Sequence, residues 1–347
     1  MKNKLDEDFT NINSSYCYVI AEAGLNHNGS IEIAKKLIDV AAISGADAVK
    51  FQKRTIDRLA IKSALDANDD RFPEFGATYR EIREHLEFNK DQYIELKRYT
   101  KTKNLDFIVT AFDEDAVDFL LEVGVENFKL ASHSLTNYDL LNYLAQHKKP
   151  TILSTGMAEL EEIDQAVEIF TSLNAPLSLM HCVSAYPTPL DECNMRMMHS
   201  LKQRFELATG YSGHEIGYMP SVIAAAMGAQ LIERHYTLDK NMIGFDHKMS
   251  LEPDELTAMI KEIRLVRKIQ GTGKKTVSET EWITRKKYHV SAVSSIEIRA
   301  GNILSEDHIT YRNPGTGIPR KDISKILGKK AKEDIPSDIL LSSQMFE

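Results

Sequence analysis

YVIAEAGLNHNGSIEIAKKLIDVAAISGADAVKFQ, residues 18–52, decides how this chain reads. It opens on a short apolar run at 18–24, which has the composition of a strand. In the stretch 30–44, Ile31, Ala34, Ile38 and Ala41 recur at helical spacing on one face, and Gly45 supplies a stop. A second apolar run, AVKFQ at 48–52, follows. Strand, helix and strand in that order imply parallel strands joined by a crossover.

The alternation continues to about residue 270. Further strands are expected at DFIVTAF (106–112), NFKLAS (127–132), PTILST (150–155), LSLMHC (177–182), FELATGYS (205–212) and AQLIERHYT (229–237). Amphipathic helices are expected at 113–123, 136–147, 158–173, 215–227 and 253–269. With the first two strands this makes eight, which points to an α/β fold of the closed (β/α)₈ TIM barrel type. The alternative is an open doubly wound sheet, but no G-x-G-x-x-G follows the first strand. A long polar insert at about 53–90, with room for a short helix, is positioned to cover the barrel mouth. After Gln270 the composition changes. GTGKKTVSETEWITRKK (271–287) reads as a polar linker, and 288–347 as a small β-rich domain with NPGTGIP (313–319) as an irregular turn. The expected domains are therefore a barrel at 1–270, a linker at 271–287 and the small domain at 288–347.

The 347 residues are 42% hydrophobic, enough for a large core, and the formal net charge is -8. That charge argues against nucleic-acid binding, although local lysines can still receive an anionic substrate. Cys17, Cys182 and Cys193 form no C-x-x-C pair, so neither a zinc ribbon nor a disulfide framework is expected. The N-terminal MKNKLDEDFT lacks an apolar leader region, and no apolar run reaches the roughly 20 residues of a membrane helix. The expectation is a cytoplasmic protein with no membrane partner.

Barrel enzymes place their chemistry at the C-terminal ends of the strands. There this sequence puts Glu22, Lys50, Gln52, Thr110, Lys129, Ser132, Ser154, Ser212, His214, Glu233 and His235. Side chains alternate along a strand, so Lys50 and Gln52 share a face, as do Glu233 and His235. A buried ammonium group needs an anion. One reading pairs Lys50 and Lys129 with Glu22 or Glu233 as structural ion pairs. The other gives them the phosphate and carboxylate of a substrate, which the neighbouring hydroxyls of Thr110, Ser132, Ser154 and Ser212 suit. His214 and His235 end consecutive strands, and Glu22 sits beside them across the barrel closure. Two imidazoles and a carboxylate suit a divalent ion such as Mn²⁺. His27 either touches substrate or serves its own turn. His133 and His181 are weaker candidates, and Cys182 and Cys193 read as inert thiols.

With those residues assembled, the sequence resembles the sialic acid (N-acetylneuraminate) synthase family, legionaminate synthases included. The motifs are IAEAGLNHNG (20–29), VKFQ (49–52), LSTGM (153–157), HCVSAYPTP (181–189), GYSGHEIG (210–217), ERHYTLDK (233–240), GFDHKMSLEPDE (244–255) and PGTGIP (314–319). The resemblance implies a barrel followed by an antifreeze-like (SAF) domain in a domain-swapped homodimer. It implies condensation of phosphoenolpyruvate with N-acetylmannosamine or a related 2-acetamido sugar, and for a legionaminate-type enzyme a 2,4-diacetamido sugar. It further implies a divalent metal on His214 and His235, Mn²⁺ first, with Mg²⁺ or Co²⁺ as alternatives. Lys50, Gln52, Thr110, Lys129, Ser132, Ser154 and Ser212 would hold phosphoenolpyruvate. Tyr186 and Asp246 would contact the sugar, Glu22 would handle a proton, and an arginine of the small domain would reach the N-acyl group. The nearest mechanistic rival is a class I aldolase with Lys129 as Schiff-base residue. The sequence departs from the family pattern at three places. Arg312-Asn313-Pro314-Gly315 stands where KRPG is usual, Gly244-Phe245-Asp246-His247 stands for GPDH, and His133-Ser134 replaces a glycine and an acid.

Overall fold

The protein's structure, a computed structural model, describes residues 16–347. The N-terminal stretch 1–10 discussed above lies outside them. Two compact units meet at Gly271/Thr272.

The first unit is a closed barrel of eight parallel strands. They are β1 (Tyr18–Gly24), β2 (Ala48–Lys53), β3 (Asp106–Ala111), β4 (Asn127–Leu130), β5 (Thr151–Ser154), β6 (Leu177–Cys182), β7 (Thr209–Gly213) and β8 (Leu231–His235). β1 pairs with both β2 and β8, which closes the ring and brings Glu22 into register with Lys50 on one side and His235 on the other. The unit that opened the sequence reading is present as read. Its helix α1 (Ile31–Ser44) starts at Ser30, whose side chain accepts from the Ile33 N–H, and ends at Gly45 in the left-handed region (φ 83°).

Alternation along the strands sorts the side chains into layers. Val19, Val49, Val109, Leu153, Leu179 and Ile232 face outward into the core shared with the helices. The alternate residues Ile20, Ala48, Ile108, Ile152, Met180 and Leu231 meet inside the barrel as a separate, fully buried apolar layer. Two residues further along the same strands and faces come Glu22, Lys50, Thr110, Ser154 and Glu233. The apolar layer is thus the floor on which the polar groups stand.

Several strand bounds and helices differ from the sequence reading. FELATGYS begins inside a helix, Met197–Phe205, which the sequence reading lacked. Only Met198 and Leu201 of it are buried and no side chain caps its start, so its periodic signal is weak. It ends at Glu206, in the left-handed region at φ 53°, and β7 starts only at Thr209. The helix expected at 215–227 begins at Met219. Residues 215–218 are held as a loop instead, because Arg234 donates to the backbone carbonyls of Glu215 (2.8 Å) and Gly217 (2.7 Å). β4 is also shorter than expected, with Ser132 in a 3₁₀ turn, Ser132–Ser134, rather than on the strand. The insert carries three short helices, Ile56–Leu59, Lys62–Leu65 and Tyr79–Leu86, where one was expected.

The second unit begins with helix Glu279–Tyr288, inside the stretch read as linker; Ser278 and Glu281 form its capping box. Beyond it, β9 (Ser291–Ser294) and β10 (Ile309–Arg312) pair antiparallel. They pack on Ile298, Leu304, Ile326, Ile335 and Leu341. No helix of the described residues is long and apolar enough to cross a membrane.

Candidate active site

One cavity of about 340 Å³ opens at the C-terminal end of the barrel. Among its lining residues are Glu22, Lys50, Gln52, Thr110, Lys129, Ser132, Ser154, Tyr186, Ser212, His214, His235 and Asp246. The first-unit residues expected to serve catalysis, substrate or metal therefore line one cavity, whereas the candidates His27 and His181 do not. Arg312 belongs to the second unit, where it lies exposed on β10 and pairs with Asp338 at 2.7 Å.

The buried centre is a chain of alternating charges. Lys50 Nζ stands 3.0 Å from Glu22 Oε2 and 3.6 Å from Glu233 Oε1, and it donates to Thr110 Oγ1 at 2.9 Å. Lys129 Nζ meets the same Glu233 oxygen at 3.2 Å, as does Ser212 Oγ. Gln52 Nε2 donates to Glu22 Oε1 at 2.6 Å, and Gln52 Oε1 in turn accepts from Arg54 Nη2 at 2.6 Å. The ion pairs that one sequence reading offered for the two lysines are present, and they line the cavity where the other reading needed them. The two readings describe the same groups. Glu233 Oε2 and Ser154 Oγ are buried with no hydrogen-bond partner, on residues that line the cavity.

The two lysines are not equivalent. Burial lowers the pKa of Lys50, but the charges of Glu22 and Glu233 outweigh it and the net shift is upward. For Lys129 burial wins over Glu233, with Lys50 adding to it, and the net shift is downward. Glu233, buried between them, is held well below the usual carboxylate range by the two ammonium charges. Lys129 is the ammonium group that gives up its proton more readily.

His214 and His235 face each other with ring centroids 5.5 Å apart, and the Tyr186 ring lies 4.2 Å from His214. His214 Nδ1 is 3.1 Å from the Val183 carbonyl, which can only accept. Nδ1 therefore carries the proton and Nε2 keeps its lone pair. Burial, then the neighbouring His235, lowers the His214 pKa to about 3, so this imidazole is neutral. His235 Nδ1 is buried with no hydrogen-bond partner. A neutral imidazole and an orphaned ring nitrogen fit a divalent ion. The carboxylate expected beside them is otherwise engaged, because Gln52 and Lys50 hold Glu22. Among the described residues no group of three or more His, Cys, Asp or Glu is arranged to hold a metal. The protein offers such an ion two imidazoles, with Asp246 Oδ2 3.8 Å from His235 Nδ1.

Outside the cavity, a buried network fixes the loop that carries His214. Glu215 pairs with Arg234, and Tyr211 Oη donates to Glu215 Oε2 at 2.9 Å. His27 serves its turn. It accepts the Gly29 N–H at 3.1 Å, stacks on Phe88 at 4.2 Å, and burial followed by the Arg54 charge lowers its pKa to about 3. His181 likewise bonds the Cys193 carbonyl at 2.8 Å. Burial pushes the Cys182 thiol up, in keeping with an unreactive cysteine.

The sequence reading missed Arg54, Tyr79, Arg83 and Phe112 as cavity residues. Arg54 lies just beyond the end of β2, one alternation past Gln52, and that signal was readable. Tyr79 and Arg83 come from the insert, whose approach to the barrel mouth no periodicity specifies.

Residues 37–275 match the NeuB family model, and 289–347 match the SAF domain. The chain belongs to the NeuB family. It is an enzyme, a barrel followed by a SAF domain, as the motifs led one to expect. N,N'-diacetyllegionaminic acid synthase of Campylobacter jejuni is 40% identical over 334 residues, 93% of this chain and 98% of that one. Human N-acetylneuraminate-9-phosphate synthase is 36% identical over 333 residues, 95% and 93% of the two chains. Among solved structures, N-acetylneuraminic acid synthetase from Leptospira borgpetersenii, in complex with citrate, is 36% identical. It superposes with a TM-score of 0.67, covering 78% of this chain and 90% of that one.

Proposed function

We propose that this NeuB-family enzyme condenses phosphoenolpyruvate with the open-chain aldehyde of a 2-acetamido sugar and water, giving a nonulosonic acid and phosphate. The observation that carries the proposal is the single cavity in which two buried ammonium groups, two carboxylates and two imidazoles converge. Phosphoenolpyruvate supplies a phosphate and a carboxylate. Lys50 and Lys129, with the hydroxyls of Thr110, Ser132, Ser154 and Ser212, are the groups assigned to them.

Carbon 3 of the enol attacks the aldehyde carbon, carbon 2 becomes oxocarbenium-like, and water adds there. The adduct then expels phosphate by C–O cleavage. Glu22 takes the proton of the added water, a role open to a buried carboxylate that lines the cavity. Lys129, the more acidic ammonium group, neutralises the departing phosphate, and Lys50 holds it. Tyr186 and Asp246 line the cavity beside His235 and are assigned to the sugar. Holding both reactants in one enclosure removes much of the entropic cost of their encounter. A divalent ion, Mn²⁺ in our assignment, would be held by His214 and His235 and would polarise the aldehyde carbonyl, an effect worth several kcal/mol. Arg312 is assigned to the sugar's N-acyl group through a homodimer, a state that light scattering in solution reads directly.

The test is a panel of 2-acetamido aldoses, N-acetylmannosamine and 2,4-diacetamido sugars included, incubated with phosphoenolpyruvate and Mn²⁺. Inorganic phosphate should appear in step with a product of nonulosonic mass. Silence across the panel would refute the proposal. A Schiff-base aldolase is the second reading, favoured only by the lowered pKa of Lys129. Borohydride trapping of Lys129 by a keto acid would favour it.

A further inference from the structure

We propose that Arg54 and Arg83 form a subsite for a phosphate monoester on the terminal carbon of the acceptor sugar. The proposal rests on the condensing reading above and narrows its substrate class.

The two arginines differ from the two lysines in what holds them. Each lysine faces a carboxylate. Among the described residues, neither arginine makes an ion pair. Both guanidinium groups lie on aromatic faces instead. Arg54 sits 3.9 Å from the Phe112 ring centroid, and Arg83 sits 4.3 Å from Phe245 and 5.0 Å from Tyr79. An aromatic face steadies a guanidinium plane and leaves its N–H edge free.

Arg54 is only 8% exposed, lines the cavity, and has Nη1 buried with no hydrogen-bond partner. Arg83 Nε is likewise buried without a partner. Two like charges near one another, one of them almost fully desolvated, are costly until an anion arrives. Both line the same cavity, and burial first, then the Arg83 charge, draw the Arg54 pKa down. The nearby carboxylates Glu87 and Asp246 offset this only in part. Glu87 is taken by Lys53 at 2.9 Å, and Asp246 shares the cavity without an ion pair to either arginine.

The position selects the acceptor over phosphoenolpyruvate. The lysines and hydroxyls stand directly on the apolar floor of the barrel. Arg54 lies past the end of β2, and Arg83 comes from the insert helix Tyr79–Leu86. If the aldehyde end of the sugar reacts beside the lysines and imidazoles, its far end reaches toward the arginines. A planar fork with several donors fits a phosphate there. His133, half-buried against Phe112 beside Arg54, adds a neutral ring where the family pattern has no imidazole. The relatives are named both for a phosphorylated product and for an unphosphorylated one, and the subsite argues for the phosphorylated kind in this chain.

The experiment has a binding arm and a kinetic arm. In the first, N-acetylmannosamine 6-phosphate and N-acetylmannosamine are titrated calorimetrically into the full-length protein without phosphoenolpyruvate. The phosphorylated sugar should bind roughly tenfold tighter or better, the scale of a charged hydrogen bond gained. Arg54→Gln and Arg83→Gln should each remove most of that advantage. If Arg54→Gln fails to fold, the half-buried Arg83→Gln carries the test. In the second arm, KM for the phosphorylated acceptor should rise by a similar factor in the variants while KM for phosphoenolpyruvate stays. Equal affinity for the two sugars in the unaltered protein overturns the proposal, and so does a rise confined to KM for phosphoenolpyruvate. Loss of phosphate release with every acceptor would instead sink the condensing reading, and the titrations would still decide the subsite.

Discussion

Ile20 and Glu22 stand two residues apart on one face of one strand, yet they belong to different kinds of interior. Ile20 is part of an apolar layer that is fully buried and complete in itself. Glu22 is equally buried but sits in a layer of alternating charges with orphaned oxygens. The barrel geometry is the same for both. What differs is whether the side chains satisfy one another. The floor contributes stability through burial, whereas the charged layer lines a cavity and keeps buried polar atoms without a hydrogen-bond partner. The same contrast recurs between the carboxylate-paired lysines and the arginines resting on aromatic faces.

Variants in the two layers should fail in different ways. The largest effect is expected for His235→Ala in the upper layer. Turnover should drop about a thousandfold, the equivalent of roughly 4 kcal/mol of barrier, while the fold survives. Steady-state rates, a melting curve and a Mn²⁺ titration check this, and undiminished turnover would remove His235 from the site. Next is Glu233→Ala, which leaves Lys50 short of one partner and Lys129 without its nearest. About 3–5 kcal/mol of stability should be lost in urea unfolding, because an uncompensated buried charge remains. A loss below about 1 kcal/mol would mean water already screens the layer.

In the floor, Ile108→Ala should cost roughly 2–4 kcal/mol through the cavity it opens. Activity at a permissive temperature should stay close to normal, so a selective loss of turnover would blur the line between the layers. The smallest effect concerns His27, a buried imidazole outside the cavity. Its pKa is about 3 in the folded protein, against an ordinary value of 6.5. The unfolded chain therefore binds the extra proton first as pH falls, and stability drops between pH 6.5 and about 3. At pH 5 the loss should be about 2 kcal/mol relative to pH 8, from 1.36 kcal/mol per unit. His27→Gln should flatten that part of the pH profile, which denaturation at several pH values would show.

Much of the fold and site was legible because it depends on short-range periodicity. The β1–α1–β2 unit carries its own alternation, cap and stop, and parity alone put Lys50 with Gln52 and Glu233 with His235 on inward faces. Helix Met197–Phe205 escaped notice because it is short, uncapped and buries only two side chains. Glu215 looked like a helical residue because its partner, Arg234, comes from the next strand. Arg83 gave no functional signal because its neighbours Phe245 and Arg54 are distant in sequence.

The sequence by itself determined which residues lie on the inner face of the barrel and at which end, since strand alternation and strand order are local properties. Only the tertiary structure decided which charge answers which. It gave Glu22 to Gln52 and Lys50 rather than to the imidazoles, and it left Arg54 and Arg83 without a carboxylate. Electrostatic partnership depends on distance through space and on the exclusion of water, and neither is fixed until the ring has closed.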